Sequence, residues 1–333
     1  MQAVGRFELL QDWARTQLGV AELSIAPASA DASFRRYFRI TLGGRSVIAM
    51  DAPPEHEDCR PYVHVARLFR DAGANLPQVL AQDLERGFLL LTDLGAATYL
   101  QALTPDNAGA LYADAIDALI RIQSASRPGV LPAYDEALLG RELQLFPDWY
   151  LARHRGVDLG NAQRATLTAA FRTILDCNLA EPCVYVHRDY HSRNLMLTEP
   201  NPGILDFQDA VYGPISYDLV SLFKDAYIVW DEERVLDWVI RYWEKAKRAR
   251  LPVRADFSDF YREFEWMGAQ RHLKVLGIFA RLYHRDGKDG YLRDLPAVMA
   301  YLRRTCERYR ELAPLAKLLD ESDRRTVTAG YTF

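Results

Sequence analysis

The sequence predicts an α+β chain in two unequal lobes: a small antiparallel β lobe over residues 1–93 and a large, mainly helical lobe over residues 94–333. Three observations carry that reading. Runs of β-formers broken by Gly, Pro and polar turns fill the first ninety residues. After Asp93-Leu-Gly95 the pattern changes to long stretches of helical period. A length of 333 residues exceeds one typical domain and suits two.

The elements follow in order. Phe7, Leu10, Trp13, Ala14 and Leu18 recur near helical spacing and predict an amphipathic helix over 5–20. Phe34 to Ile40 and Ser46 to Met50 are rich in β-formers and flank the hairpin turn Leu42-Gly-Gly-Arg45. Pro53-Pro54 breaks the chain, and Arg60 to Ala72 reads as a helix closed by Gly73. Gln78 to Leu84 and Phe88 to Thr92 read as two more strands joined at Glu85-Arg-Gly87. The small lobe is therefore an antiparallel sheet with one helix lying on it. Further helices are expected over 105–126, 136–154, 161–179, 216–229, 231–249, 257–284 and 294–312. The last dozen residues are polar and are expected to be loosely held.

A strand hairpin interrupts the helices, and it carries chemistry. Val184-Tyr-Val186 delivers His187-Arg-Asp-Tyr-His-Ser-Arg-Asn194, Leu195-Met-Leu197 is the next strand, and Glu199-Pro-Asn-Pro-Gly203 turns back into Ile204-Leu205-Asp206. Such a hairpin sets Asn194 beside Asp206, with Asp189 on the preceding loop. A hydroxyl attacking a γ-phosphoryl group needs a carboxylate to orient it and take its proton, the task expected of Asp189. Phosphate and carboxylate repel unless Mg²⁺ lies between them, and an amide oxygen with a second carboxylate, Asn194 and Asp206, supplies its ligands. The spacing thus points to phosphoryl transfer from ATP with Mg²⁺.

Composition narrows the class. At 49% hydrophobic and 26% charged, the chain can bury a sizeable core. A net charge of −4 gives no basis for a nucleic-acid or anionic-membrane partner. No apolar run is long enough for a membrane span, and Met1-Gln-Ala-Val-Gly-Arg-Phe-Glu8 lacks the layout of a signal peptide. Cys59, Cys177, Cys183 and Cys306 are scattered and read as reduced, mostly buried thiols. A cytoplasmic enzyme with small-molecule partners is expected.

A small β lobe, a short hinge and a helical lobe bearing the catalytic loop resemble the two-lobed protein-kinase-like architecture. By that analogy the nucleotide lies in the crevice between the lobes, with adenine against the backbone of Leu91 to Leu94, so that Leu91 and Asp93 contact it. Protein kinases themselves differ in three places. His191 stands where they carry Lys, Asp206-Phe-Gln-Asp209 replaces Asp-Phe-Gly, and only six residues separate Asp206 from Gly213-Pro214, too few for an activation segment. The loop, Ile204-Leu-Asp-Phe-Gln-Asp209 and Tyr217-Asp-Leu219 instead resemble the aminoglycoside phosphotransferase and choline kinase family, along nearly the whole chain. The resemblance implies Asp189 as catalytic base, Asn194 and Asp206 as Mg²⁺ ligands, and Asp218 as a brace of the loop through its backbone N–H groups. Asp209 is assigned an internal hydrogen bond in preference to a second ion.

One departure from the family is informative. Its small-lobe strand three normally carries a Lys for the phosphates; here Met50 stands at that position, and no lysine occurs before Lys224. A cation must then come from Arg35, Arg36, Arg39 or Arg45, and strand parity favours Arg36, which points opposite to Arg35 and Arg39. The small residues Ser29 to Ser33 stand in for a Gly-rich phosphate loop, with Ser33 as a nucleotide contact.

Within the family, Ser33-Phe-Arg-Arg-Tyr-Phe-Arg39, Met50-Asp-Ala-Pro-Pro-Glu55, Leu91-Thr-Asp-Leu-Gly95 and Glu263 to Phe279 resemble the anomeric kinases of N-acetylmuramate and N-acetylglucosamine in peptidoglycan recycling. That likeness implies ATP-dependent phosphorylation of the C1 hydroxyl of the amino sugar, with His191, Arg193, Trp266, Gln270 and Arg271 at the sugar. From Met267 to Arg285 no acidic residue occurs, while Arg271, Lys274, Arg281 and Arg285 are positive. Such a helix suits a neutral amido sugar or one with a lactyl carboxylate better than a polycationic antibiotic, unless its charges pair with neighbouring carboxylates. Aminoglycoside-, choline- or homoserine-type kinases and a non-catalytic pseudokinase module remain open at this point.

Overall fold

The computed structural model describes residues 5–29 and 34–328, apart from the side chain of Ser29 and those beyond Asp323. Ser33 therefore lies outside the described residues. The chain forms two compact units: residues 1–122 with 193–209, and residues 123–192 with 210–333.

The first unit opens with helix α1 (Arg6–Leu18), followed by strands β1 (Ser24–Ser29), β2 (Arg36–Leu42) and β3 (Arg45–Asp51), helix α2 (Cys59–Asp71), strands β4 (Val79–Asp83) and β5 (Phe88–Thr92), and helices α3 (Tyr99–Ala102) and α4 (Ala108–Ser124). The five strands form one antiparallel sheet in the order β1-β2-β3-β5-β4. One face of the sheet presents Ile40, Val47, Ala49, Phe88 and Leu90 to Leu10, Trp13 and Ala14 of α1, a dry apolar contact that fixes the helix on the sheet. Strand β1 was not expected, because Ser24-Ile-Ala-Pro-Ala-Ser29 carries few β-formers and a proline. At an edge of the sheet that composition is tolerated.

Residues 193–209 belong to this unit. Strands β7 (Leu195–Met196) and β8 (Gly203–Ile204) pair as the expected hairpin. The hairpin docks by backbone bonds, Leu197 N–H to Ala97 O at 2.8 Å and Ile204 N–H to Asn75 O at 2.8 Å. The hairpin packs closely at Gly203, where a Cβ would meet Leu94 Cδ1 at 2.9 Å and Thr198 side-chain atoms at 3.1 Å.

In the second unit, β6 (Cys183–Val186) pairs with β9 (Val211–Pro214) among helices α5 (Glu136–Leu145), α6 (Asn161–Leu179), α7 (Tyr217–Phe223), α8 (Glu232–Arg248), α9 (Phe257–Asp286), α10 (Leu295–Arg308) and α11 (Ala313–Thr328). The helix expected over 136–154 is α only to Leu145 and widens into a π-helical stretch over Phe146–His154, whose first turn holds Pro147, with no N–H to give the α ladder. The long helix α9 is buried along most of its length, and Gly277 lets it approach so closely that a Cβ would sit 2.4 Å from the Leu145 carbonyl carbon. Of the last dozen residues, expected to be loosely held, 322–328 continue helix α11 and 329–333 lie outside the described residues; the helix is anchored ahead of the latter. Leu315, Leu318 and Leu319 are buried, and Asp323 pairs with Arg155 and Arg303 at 2.7 and 2.6 Å. Among the described residues no helix is long and apolar enough to cross a membrane.

Candidate active site

The catalytic loop leaves β6 at Val186 and is held at both ends by buried carboxylates of the second unit. Asp218, in the first turn of α7, accepts the N–H groups of His187 at 2.7 Å and Arg188 at 3.0 Å. That is the bracing expected of it. Burial pushes the Asp218 carboxyl up to about 7, against the lowering pull of those two N–H groups and of the Arg271 charge. At the far end Asp225 accepts both the N–H, at 3.0 Å, and the hydroxyl of Ser192, and also takes the Tyr227 N–H at 3.1 Å. These bonds turn the chain after Phe223, so α7 stops well short of the expected residue 229.

Asp189 sits between the two braces, its side chain 40% exposed. Its own N–H is donated to His187 Nδ1 at 3.2 Å, and its carbonyl accepts His191 N–H at 3.0 Å. Burial acts to raise its carboxyl, but the charges of Lys274, Arg271, His191 and Arg188 outweigh that and hold it at about 2. Asp189 is therefore an anion throughout the neutral range.

Behind the loop lies a buried polar network. Glu142 of α5 accepts Arg188 Nη2 at 2.6 Å, Lys274 Nζ at 2.9 Å, Gln270 Nε2 at 3.3 Å and the Tyr134 hydroxyl. Lys274 also donates to the Tyr217 hydroxyl at 2.8 Å. Arg271 donates to the Arg188 carbonyl at 3.1 Å and lies 4.0 Å from an Asp189 oxygen. Two of the four cations between Met267 and Arg285 are thus taken up inside the fold, Lys274 on Glu142 and Arg271 on the loop, while the exposed Arg285 pairs with Asp286. A buried charge needs such a partner, and Glu142 and Lys274 meet that need together. Gln270 and Arg271 are brought to the loop in this way, as structural partners of Glu142 and Arg188. Trp266 is placed elsewhere: it packs in the core, with its ring 5.5 Å from Tyr309 and under the Arg262 guanidinium. His191 is nearly buried, edge-on to Tyr227 at 5.4 Å. Glu142 and Asp225 were not singled out from sequence; Glu142 is one acid within α5 and Asp225 lies just past α7, each far along the chain from the loop it serves.

In the first unit the hairpin sets Asn194 Nδ2 3.4 Å from Asp206 Oδ2, with Leu205 N–H on the Asn194 carbonyl at 2.9 Å. Asp206 has the left-handed φ of +60°, which turns its side chain out of the strand direction. Gln208 Nε2 bridges Asp206 at 2.8 Å and Asp209 at 3.3 Å, so Asp209 has the internal hydrogen bond assigned to it. Arg193, half-buried, opens the hairpin. Arg35 Nη2 lies 3.5 Å from Asp206 Oδ1. Arg36 instead shares the sheet face of α1 and pairs with Asp51, which Arg6 also reaches at 2.7 Å. Asp93 receives Arg39 Nε at 2.6 Å, the Ser46 hydroxyl at 2.7 Å and the Gly95 N–H at 2.9 Å, bonds that tie the end of β5 to β2 and β3. Leu91 is buried within β5, in register with Ile48 and Val79. Met50 is fully buried in β3 and carries no charge to the site.

Comparison with known proteins agrees with the loop. A kinase from Pseudomonas aeruginosa named N-acetylmuramate/N-acetylglucosamine kinase is 54% identical over 324 residues, covering 94% of this chain and 96% of its own. One of the same name from Neisseria meningitidis is 52% identical, covering 97% and 98%. Among solved structures, a choline kinase from Streptococcus pneumoniae superposes with a TM-score of 0.63 at 12% identity, over 90% of this chain and 99% of its own, which shows the shared fold. A phosphotransferase enzyme family model matches residues 24–256. With the family's loop pattern intact from His187 to Asn194, the chain is a phosphotransferase and belongs to the phosphotransferase enzyme family.

Proposed function

We propose that the protein is an ATP-dependent kinase that phosphorylates the anomeric C1 hydroxyl of N-acetylmuramate and N-acetylglucosamine. The observation that carries this reading is the match, at 54% and 52% identity and along almost the whole of both chains, to kinases named for those two sugars. The local chemistry supports it. Asp189, held as a carboxylate, orients the attacking hydroxyl and receives its proton as the bond to the γ-phosphorus forms and ADP leaves. A carboxyl held at about 2 is a weak base. Orientation is therefore its larger task, with proton transfer following bond making in a loose transition state. Asn194 and Asp206 offer an amide and a carboxylate, a hard-oxygen set that fits Mg²⁺ when phosphate oxygens complete its shell. When bound, the ion neutralises the phosphate charge that the carboxylates would otherwise repel.

A coupled ADP-release assay over a panel of amino sugars, aminoglycosides, choline and homoserine tests the reading. Turnover confined to the two amino sugars is expected, and phosphorus NMR should show the product as a 1-phosphate. A 6-phosphate, or turnover of another class alone, would overturn it.

A further inference from the structure

A nucleotide triphosphate carries about four negative charges, and Mg²⁺ offsets only two. The first unit has to supply a further cation, yet its sequence contains no lysine, and Met50 is buried in β3. The described arginines of the sheet differ sharply in what they face. Arg36 stands on the α1 face, 49% exposed, and pairs with the buried Asp51, which it shares with Arg6. Arg39 is spent on a two-pronged pair with Asp93 and on the Gly95 carbonyl at 2.8 Å. Arg35 is different. Its side chain is only 10% exposed and lies against Asp206 at 3.5 Å. The acidic groups felt by its guanidinium include Asp206, Glu57 and Asp209.

We infer that Arg35 is the phosphate-binding cation of this enzyme, standing in for a strand lysine from a position just before β2, beside Asp206, the carboxylate proposed above to hold the metal. The inference rests on the kinase reading above. Three features support it. Arg35 directly precedes β2, whose first residue Arg36 pairs with Asp51 on the α1 face, whereas the Arg35 guanidinium lies 3.5 Å from Asp206. Near-burial restricts the guanidinium to few conformers, which lowers the entropy lost when it grips an anion. Its neighbour Asp206 is the carboxylate that would hold a metal, so Arg35 stands where it could reach a phosphate placed at that metal. A planar guanidinium can then present two parallel N–H groups to two phosphate oxygens, a fixed geometry that the freely rotating ammonium of a lysine lacks.

The test is equilibrium binding by calorimetry of MgADP and of adenosine to wild type, Arg35→Ala, Arg35→Lys and Arg36→Ala. Arg35→Ala should weaken MgADP by about ten- to a hundredfold, as loss of a charge-assisted bond predicts, and leave adenosine unchanged. Arg35→Lys should recover part of the loss. Equal affinity of wild type and Arg35→Ala for MgADP, or a loss in Arg36→Ala in place of Arg35→Ala, overturns the assignment while leaving the kinase reading intact. A wild-type protein that binds no MgADP at all overturns both.

Discussion

The Asp218 carboxylate accepts the Arg188 N–H at 3.0 Å, one residue before Asp189, while Arg188 itself is held at the left-handed φ of +78°. A non-glycine residue in that region costs on the order of 1–3 kcal/mol and persists only where its surroundings impose it. The carboxylate, with the Arg188 side chain anchored on Glu142, is what imposes it. Asp218→Ala should orphan two buried N–H groups, each worth about 1–3 kcal/mol. The denaturant midpoint should fall and kcat with it, and Asp218→Asn, keeping one good acceptor, should lie between. An unchanged midpoint and unchanged kcat would remove Asp218 from this role.

Asp189→Asn should lower kcat by roughly 10²–10⁴-fold, through loss of the anionic acceptor that orients the hydroxyl and takes its proton, with MgADP affinity little changed. Its pH behaviour is also specific. The carboxyl is depressed from 3.8 to about 2 in the fold. The stability it contributes is therefore present above pH 4 and is lost as pH falls from there through about 2. Chemical unfolding followed from pH 6 down to pH 3 should show a smaller acid loss in Asp189→Asn than in wild type. A parallel acid loss in both proteins would contradict the depressed value.

Lys274 and Glu142 form a buried pair 2.9 Å apart. Removing one partner from such a pair typically costs about 3–5 kcal/mol, less here to the extent that Arg188 still compensates Glu142. In a double-mutant cycle with Lys274→Met and Glu142→Gln, a coupling of about 0.5–3 kcal/mol is expected. Loss of the Lys274 charge should also raise the Asp189 carboxyl, so an acid limb in kcat absent from wild type above pH 4 should enter the measurable range. Strict additivity in the cycle would mean that the two side chains act independently.

Amphipathic helices were readable wherever one apolar stripe faced the core: α6 and α8 run almost as expected, and α9 runs two residues beyond its expected end. Asp189, Asn194 and Asp206 could be singled out because the chemistry proposed for them asks for fixed residue types at short spacing, and the hairpin does set Asn194 beside Asp206. What the sequence concealed depends on distant partners. Strand β1 is stabilised by pairing with β2 rather than by its own Ser and Ala residues. Helix α7 yields to Asp225, whose carboxylate takes backbone groups that further helix would have kept. Parity favoured Arg36 for the phosphates, but Arg36 stands on the α1 face beside Asp51; which face meets α1 is decided by the burial of Leu10 and Trp13, which no local pattern reveals.

Two glycines offer a paired test of packing. Gly277→Ala would drive a Cβ to within 2.6 Å of the Leu145 backbone and side chain, and should cost about 1–3 kcal/mol as overpacking does. Gly140, inside α5, has its nearest neighbour 4.0 Å from a built Cβ. Gly140→Ala should therefore be neutral or stabilise by about 0.5–1 kcal/mol through helix propensity. Urea melts of the two variants check this, and equal destabilisation by both would show that neither the close approach nor the helix propensity governs the outcome.

Pro27 lies in β1, at one edge of the five-stranded sheet, opposite Phe38 and beside the irregularity between Pro27 and Ser29. An edge strand ordinarily offers a row of unpaired N–H groups to any neighbouring molecule, and a proline interrupts that row while the irregularity twists it. The residue that made β1 hard to recognise therefore also guards against strand-to-strand association at high concentration. Colloidal behaviour during expression and storage, rather than catalysis, is where the choice of proline at this position should be felt.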